Sequence, residues 1–148
     1  RRLVGSEMCI RDSITCVDTW QTSKDKSQVL DFNFENVEKK FDSNLQDFSF
    51  KKIKNTSEGA FKQISKRDSF DYIYIDGSHN GIDIFNDALA SFKILNVGGI
   101  IIFDDINNIY NEIEMQPHDA FEKFYTLYKK KIKILYLKNI AVIKKTNF

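Results

Sequence analysis

FDYIYIDGSHNG fills residues 70–81, and GGIIIFDD fills residues 98–105. Both are short runs of β-branched and aromatic residues, the composition of a strand. Both stop on acid. The first ends at Asp76, with His79 three residues further on, and the second ends at the pair Asp104–Asp105. Between them, GIDIFNDALASFKIL (81–95) repeats Ile82, Phe85, Leu89, Phe92 and Leu95 at helical spacing, which predicts a helix with one stripe laid on a sheet. Asn96 through Gly99 are expected to close that helix with glycines that accept left-handed backbone angles, leaving GIIIF (99–103) as a fully buried strand. Strand, helix, strand in this order is the unit of a parallel sheet.

The pattern continues on both sides. ITCVD (14–18) reads as a strand, and the next amphipathic stretch, 35–48, carries Val37, Phe41, Leu45 and Phe48 at helical spacing. FKKIK (50–54) reads as a short outer strand, and SEGAFKQI (57–64) as a helix opened by Ser57 and Glu58. Beyond the second acidic run, Pro117 stands at the start of a helix over DAFEKFYTLYKK. IKILYL and IAVIKK then pair as a terminal hairpin around Lys138–Asn139. The expected fold is α/β: a Rossmann-like, doubly wound, mostly parallel sheet closed by a C-terminal antiparallel hairpin, in one domain spanning 14–148.

Composition narrows the function classes. The 148 residues carry 22 basic and 21 acidic side chains, so net charge makes no case for nucleic acid or an anionic membrane as the partner. The run KKKIK (129–133) reads as the solvated end of a helix rather than a phosphate patch. Cys9 and Cys16 form no disulfide or metal pattern, which fits a cytoplasmic protein. No apolar stretch approaches the ~20 residues of a membrane span. Residues 1–13, RRLVGSEMCIRDS, lack either period and resemble translated sequencing-adapter DNA; they are set apart as a non-native leader.

Asp18, Asp76, Asp104 and Asp105 all fall at carboxyl ends of strands, where ligands of open α/β sheets bind. Carboxylates facing one point repel one another unless a cation or a shared proton intervenes, and such hard oxygen ligands suit Mg²⁺, Mn²⁺ or Ca²⁺ better than zinc. Each could instead cap the loop that follows it. His79 overhangs the same place, and its pKa range would make it a usable base. The other histidine, His118, reads as surface. Asp18 could accept ribose hydroxyls, with Trp20 packing on an adenine. Ser57 and Glu58 would stand near the adenine edge, or act only as helix caps.

YIDGSH, NVGGIIIFDD and the closing hairpin resemble the class I S-adenosylmethionine-dependent methyltransferases, and within them the catechol- and sugar-type O-methyltransferases. The resemblance covers 14–148. It implies that the strands ending at Asp76 and Phe103 are the fourth and fifth of that fold. It also implies a divalent metal on Asp76, Asp104 and Asp105, with His79 as the base that deprotonates the acceptor. Asp18 would bind the ribose, and Asp76, Trp20, Ser57 and Glu58 would line the cofactor site. The acceptor would be a hydroxyl of a small molecule or glycan. The first strand and the glycine-rich loop of that fold are not found: no G-x-G occurs in the chain, and Gly5 is the only glycine before Gly59. That strand would lie between those ending at Asp18 and Asp76. A non-catalytic nucleotide-binding remnant of the same fold is the alternative. A phosphoacceptor receiver is disfavoured, because receivers place the acidic pair on the first strand and the lone acid later.

Overall fold

The computed structural model describes residues 14–21, 33–64 and 68–147. The leader 1–13, with Cys9, lies outside them. Ten elements follow in order: β1 (Ile14–Asp18), α1 (Phe34–Asn44), β2 (Phe50–Lys54), α2 (Ser57–Gln63), β3 (Phe70–Ile75), α3 (Gly81–Ile94), β4 (Leu95–Phe103), α4 (Pro117–Tyr128), β5 (Ile132–Leu137) and β6 (Ala141–Lys145). This is the expected α/β alternation, and the fold is Rossmann-like.

The strands form two groups. β1 and β2 pair in parallel, and a four-stranded sheet runs β3-β4-β6-β5. β3 and β4 are parallel, while β6 is antiparallel to both β4 and β5, which makes the terminal hairpin. Among the described residues no strand joins β1 to β3. That is the place where the first strand of the fold was expected and not found. The helices α2 and α3 touch across it.

α3 and α4 cover one face of the larger sheet. Ile75, Ile101, Phe103, Ala141 and Ile143 project from the strands into a core completed by Ile84, Ala88 and Phe92 of α3 and Ala120, Phe121 and Phe124 of α4. Phe103 meets Phe121 and Phe124 at ring-centroid distances of 5.4 and 5.5 Å, and burial of such rings supplies most of the cohesion. On the opposite face Tyr72 and Tyr74 stay exposed, and Ile100 and Ile102 are only half-buried. The strand 99–103 is therefore buried on one face rather than on both.

Two local expectations shift. The fully buried stripe of α3 runs through Ile84, Ala88, Ser91 and Phe92; of the expected residues Phe92 and Leu95 join the core, Phe85 and Leu89 pack against it half-buried, and Ile82 lies outside it. Asn96–Gly99 do not form a separate cap. β4 starts at Leu95 directly after the helix, and the register jumps from Phe70↔Leu95 to Tyr72↔Ile100, so β4 bulges there around Gly98 at φ 89°. A buried lysine completes the helix end: Lys145 Nζ donates to the carbonyls of Phe92 and Leu95 at 2.8 and 2.7 Å.

The smaller unit has its own packing. Asn33 and Thr56 cap α1 and α2, each accepting from a backbone N–H three residues on. The cap of α2 is thus Thr56, one residue before the expected Ser57. Phe41 of α1 packs edge-on against Trp20 and Phe50, and Glu38 pairs with Lys52 and Lys54 of β2. Val37 and Phe48 remain exposed, so the stripe expected over 35–48 is buried only weakly. No helix among the described residues is long and apolar enough to cross a membrane.

Candidate active site

The register of β3 and β4 decides the geometry. Ile75 pairs with Phe103, so the next residues, Asp76 and Asp104, leave adjacent strands side by side. The bond from Asp104 N to Ile75 O, 3.1 Å, extends the ladder to that point. Asp76, His79, Asp104 and Asp105 line one small open cleft with Gly77, Ser78, Ile75, Ile84 and Pro117. No lysine or arginine lines it.

The negative charges are felt locally. The carboxyl of Asp76 is raised above the usual range, first by partial burial and then by the charges of Asp104 and Asp105, while His79 pulls the other way. Its side chain still reaches solvent, which screens the effect. Asp104 is held from both sides: Oδ2 accepts from the Tyr74 hydroxyl, and Oδ1 accepts from Asp105 N at 2.8 Å. The same bond, with the acids nearby, pushes the Tyr74 phenol up to about 12. Asp105 takes a left-handed backbone at φ 50°, which aspartate tolerates better than most residues. Its Oδ1 accepts from Asn139 Nδ2 at 3.0 Å, and Ile106 N donates to Asn139 O at 2.9 Å. The turn of the terminal hairpin therefore buttresses the acidic loop.

The His79 ring stacks on Tyr110, with centroids 4.4 Å apart and planes 22° apart. Tyr110 is itself fixed by Gln116, whose side chain accepts from Tyr110 N at 3.0 Å and donates to Tyr110 O at 2.8 Å. The segment after β4 folds back onto the start of α3 through Gly81 N and Met115 O, 2.8 Å apart. A Cβ at Gly81 would stand 2.5 Å from Gln116 O, so only glycine admits this approach.

The other expected site residues are placed differently. Asp18 ends β1 as foreseen, but its Oδ1 accepts from Trp20 N at 2.6 Å and shapes the turn in which Trp20 has φ 47°. Trp20 is 7% exposed, packed on Phe41 with Lys52 Nζ 4.5 Å above its ring. It is a core residue of the smaller unit and offers no open face to an adenine. Glu58 points to solvent in an i,i+4 pair with Lys62 at 2.6 Å, and neither it nor Ser57 lines the acidic cleft. His118 is exposed and pairs with Glu122, as a surface residue should. Tyr74, Asn139 and Gln116 carry site geometry that the sequence pattern did not single out.

The donor chemistry of the cleft suits a hard divalent cation: three carboxylates, no competing basic side chain, and mutual repulsion to relieve. Among the described residues, no group of three or more His, Cys, Asp or Glu side chains is already drawn together as a metal cluster. Tyr74 and Asn139 hold two of the three acids elsewhere.

A protein-family model described as a methyltransferase domain matches residues 3–106, more than half of the chain and from within the stretch set apart as a leader. No curated protein sequence matches. Among solved structures, the O-methyltransferase NovP superposes with a TM-score of 0.62 at 13% identity, covering 91% of this chain and 60% of its own. The mycinamycin-pathway methyltransferase MycE, in complex with Mg and S-adenosylhomocysteine, gives 0.58 at 13%, covering 91% and 45%. An rRNA methylase from Streptococcus thermophilus gives 0.57 at 13%, covering 92% and 89%. The chain thus spans less than two thirds of NovP and of MycE. At these identities the likeness shows the fold and leaves the acceptor open. The family match and the Rossmann-like architecture agree, and the chain belongs to the class I S-adenosylmethionine-dependent methyltransferases.

Proposed function

We propose that the protein transfers the methyl group of S-adenosylmethionine to a hydroxyl of a small molecule or glycan. One observation carries this most: the in-register ends of β3 and β4 deliver Asp76 and Asp104 to the same cleft as Asp105 and His79. Asp18 and Asp76, at the ends of β1 and β3, would engage the adenosine part of the cofactor. Asp76, Asp104 and Asp105 would hold a divalent cation, Mg²⁺ by their oxygen chemistry. Such a cation supplies Lewis-acid charge that lowers the pKa of a nearby hydroxyl. His79, held flat by Tyr110, would take the hydroxyl proton. The acceptor oxygen then attacks the sulfonium methyl in line. The carbon–sulfur bond breaks, its electron pair stays on sulfur, and S-adenosylhomocysteine leaves. The protein's own contribution is orientation and a polarised cleft, since the methyl is already activated on the cofactor.

The test is conversion of S-adenosylmethionine to S-adenosylhomocysteine over a panel of phenolic and sugar hydroxyls, with Mg²⁺ or with EDTA. Turnover that EDTA and the double change Asp104→Asn, Asp105→Asn both leave intact removes the metal. Absence of any binding of S-adenosylhomocysteine favours instead a remnant that kept the fold without the chemistry, which the lack of any G-x-G sequence supports.

A further inference from the structure

The backbone on either side of His79 is fixed, because Ser78 Oγ accepts from Asn80 N at 3.1 Å and Asn80 Oδ1 accepts from Ile82 N at 3.0 Å. Its ring is not fixed in that way. Among the described residues no hydrogen bond orients either imidazole nitrogen. A histidine base is ordinarily aimed by a hydrogen bond at its second nitrogen. Here the angle of the ring is left to the stack on Tyr110.

Tyr110 lies between β4 and α4, and one side chain binds both of its backbone groups. Gln116 Oε1 accepts from Tyr110 N at 3.0 Å, and Gln116 Nε2 donates to Tyr110 O at 2.8 Å. Gln116 occupies the N-cap position of α4, yet its side chain makes no cap hydrogen bond. Residues at that position ordinarily turn a short polar side chain onto the helix. The amide of Gln116 is directed instead onto the residue that carries the stack. Just before it, Met115 O accepts from Gly81 N at 2.8 Å, so the clamp stands on a point where the loop is tied to the start of α3. We propose that Gln116 is a positioning residue for the base: its amide clamps Tyr110, and the Tyr110 ring sets the angle of the His79 imidazole at the acidic cleft. The inference rests on His79 acting as the base proposed above.

The experiment has a spectroscopic arm and a kinetic arm on the full chain, for wild type, Gln116→Ala, Gln116→Ser, Tyr110→Leu, Tyr110→Phe and His79→Ala. The chain has two histidines, so proton NMR reads both imidazoles and His79→Ala assigns them. Protons over an aromatic face are shielded, so the His79 ring signals should lie upfield of those of the exposed His118. Both Gln116 variants and Tyr110→Leu should move them to the position of His118, and Tyr110→Phe, which keeps the ring, should restore the shift. In the kinetic arm, with the panel hydroxyl that wild type methylates, His79→Ala should lower kcat about a hundredfold or more. The Gln116 variants and Tyr110→Leu should each lower kcat about tenfold with KM for the acceptor kept, because a misdirected base loses part of that factor. Gln116→Ser supplies the cap that glutamine does not and is too short to reach Tyr110, so its fold should hold even if Gln116→Ala does not fold. Thermal melting checks this.

Wild-type His79 signals that coincide with those of His118, or that stay upfield in Gln116→Ser, overturn the clamp. Signals that move while kcat stays at the wild-type value overturn its bearing on catalysis. A raised KM with kcat kept would make Tyr110 a wall of the acceptor pocket and overturns the positioning role as well. Wild type with upfield His79 signals and no turnover refutes the proposed reaction, and the part of Gln116 in it, while the stack itself stands.

Discussion

Replacing Asp87 with asparagine should make the protein's stability less sensitive to pH, in a direction opposite to that of an ordinary paired acid. Burial lifts the Asp87 carboxyl from 3.8 to about 6 in the folded protein. An unfolded chain restores the ordinary value, so between those two pH values the folded state binds more protons than the unfolded one. Stability must then fall as pH rises through that window. Below about 4 both states are protonated and the group contributes nothing; above about 6 the full penalty is present. At about 1.4 kcal/mol per pKa unit the shift amounts to roughly 3 kcal/mol, and discounting for the solvent that reaches the side chain leaves about 1–3 kcal/mol. Asparagine is nearly the same size and cannot ionise. The difference in unfolding free energy between Asp87→Asn and wild type should therefore grow in favour of the variant by about 1–3 kcal/mol from pH 4 to pH 7.5. Urea denaturation across that range measures it, and the slope rather than the offset is diagnostic, since any packing change is independent of pH. Parallel stability curves for the two proteins would show that Asp87 is not held as a buried acid.

Three further outcomes follow from the geometry. Lys145→Met leaves the carbonyls of Phe92 and Leu95 without their buried donor and should cost about 1–3 kcal/mol in urea unfolding. Gly81→Ala forces a Cβ onto the carbonyl oxygens of Gln116 and Met115 and should cost about 1–3 kcal/mol, with faster proteolytic cleavage between residues 106 and 116. Tyr74→Phe removes the hydroxyl that occupies Asp104 Oδ2, so calorimetry with MgCl₂ should register tighter binding than in wild type; weaker binding would mean that Tyr74 aims the acid rather than competing for it.

The backbone of the site was legible because it depends on period and punctuation. Alternating strands and helices dictated parallel pairing. Two strands that end on acid will present those acids together whenever they are neighbours in register, as Ile75 and Phe103 are. What period cannot reveal is how a side chain is spent once the elements meet. Trp20 looked like a wall for an adenine because it follows an acid at a strand end. α1 buries no residue of its own, and the small β1–β2 unit uses that indole as its core instead. Glu58 could have been discounted from the sequence, since Lys62 four residues later supplies an ordinary helical ion pair.

Asp87 and Lys145 mark the opposite failure. Both are charged residues in segments read for their apolar stripes, and a stripe treats such residues as its outward face. Tertiary packing turns these two residues inward instead. Lys145 then finds the carbonyls at the end of α3, and Asp87 comes to lie half-buried close to Gly77. The two solutions differ in kind. Lys145 satisfies acceptors that every helix end must satisfy, so an account of the fold explains it fully. Asp87 answers no such need, and burial lifts its carboxyl above the usual range. A carboxylate held against its own desolvation makes the folded state less stable as pH rises, and that is what the comparison of Asp87→Asn with wild type reads.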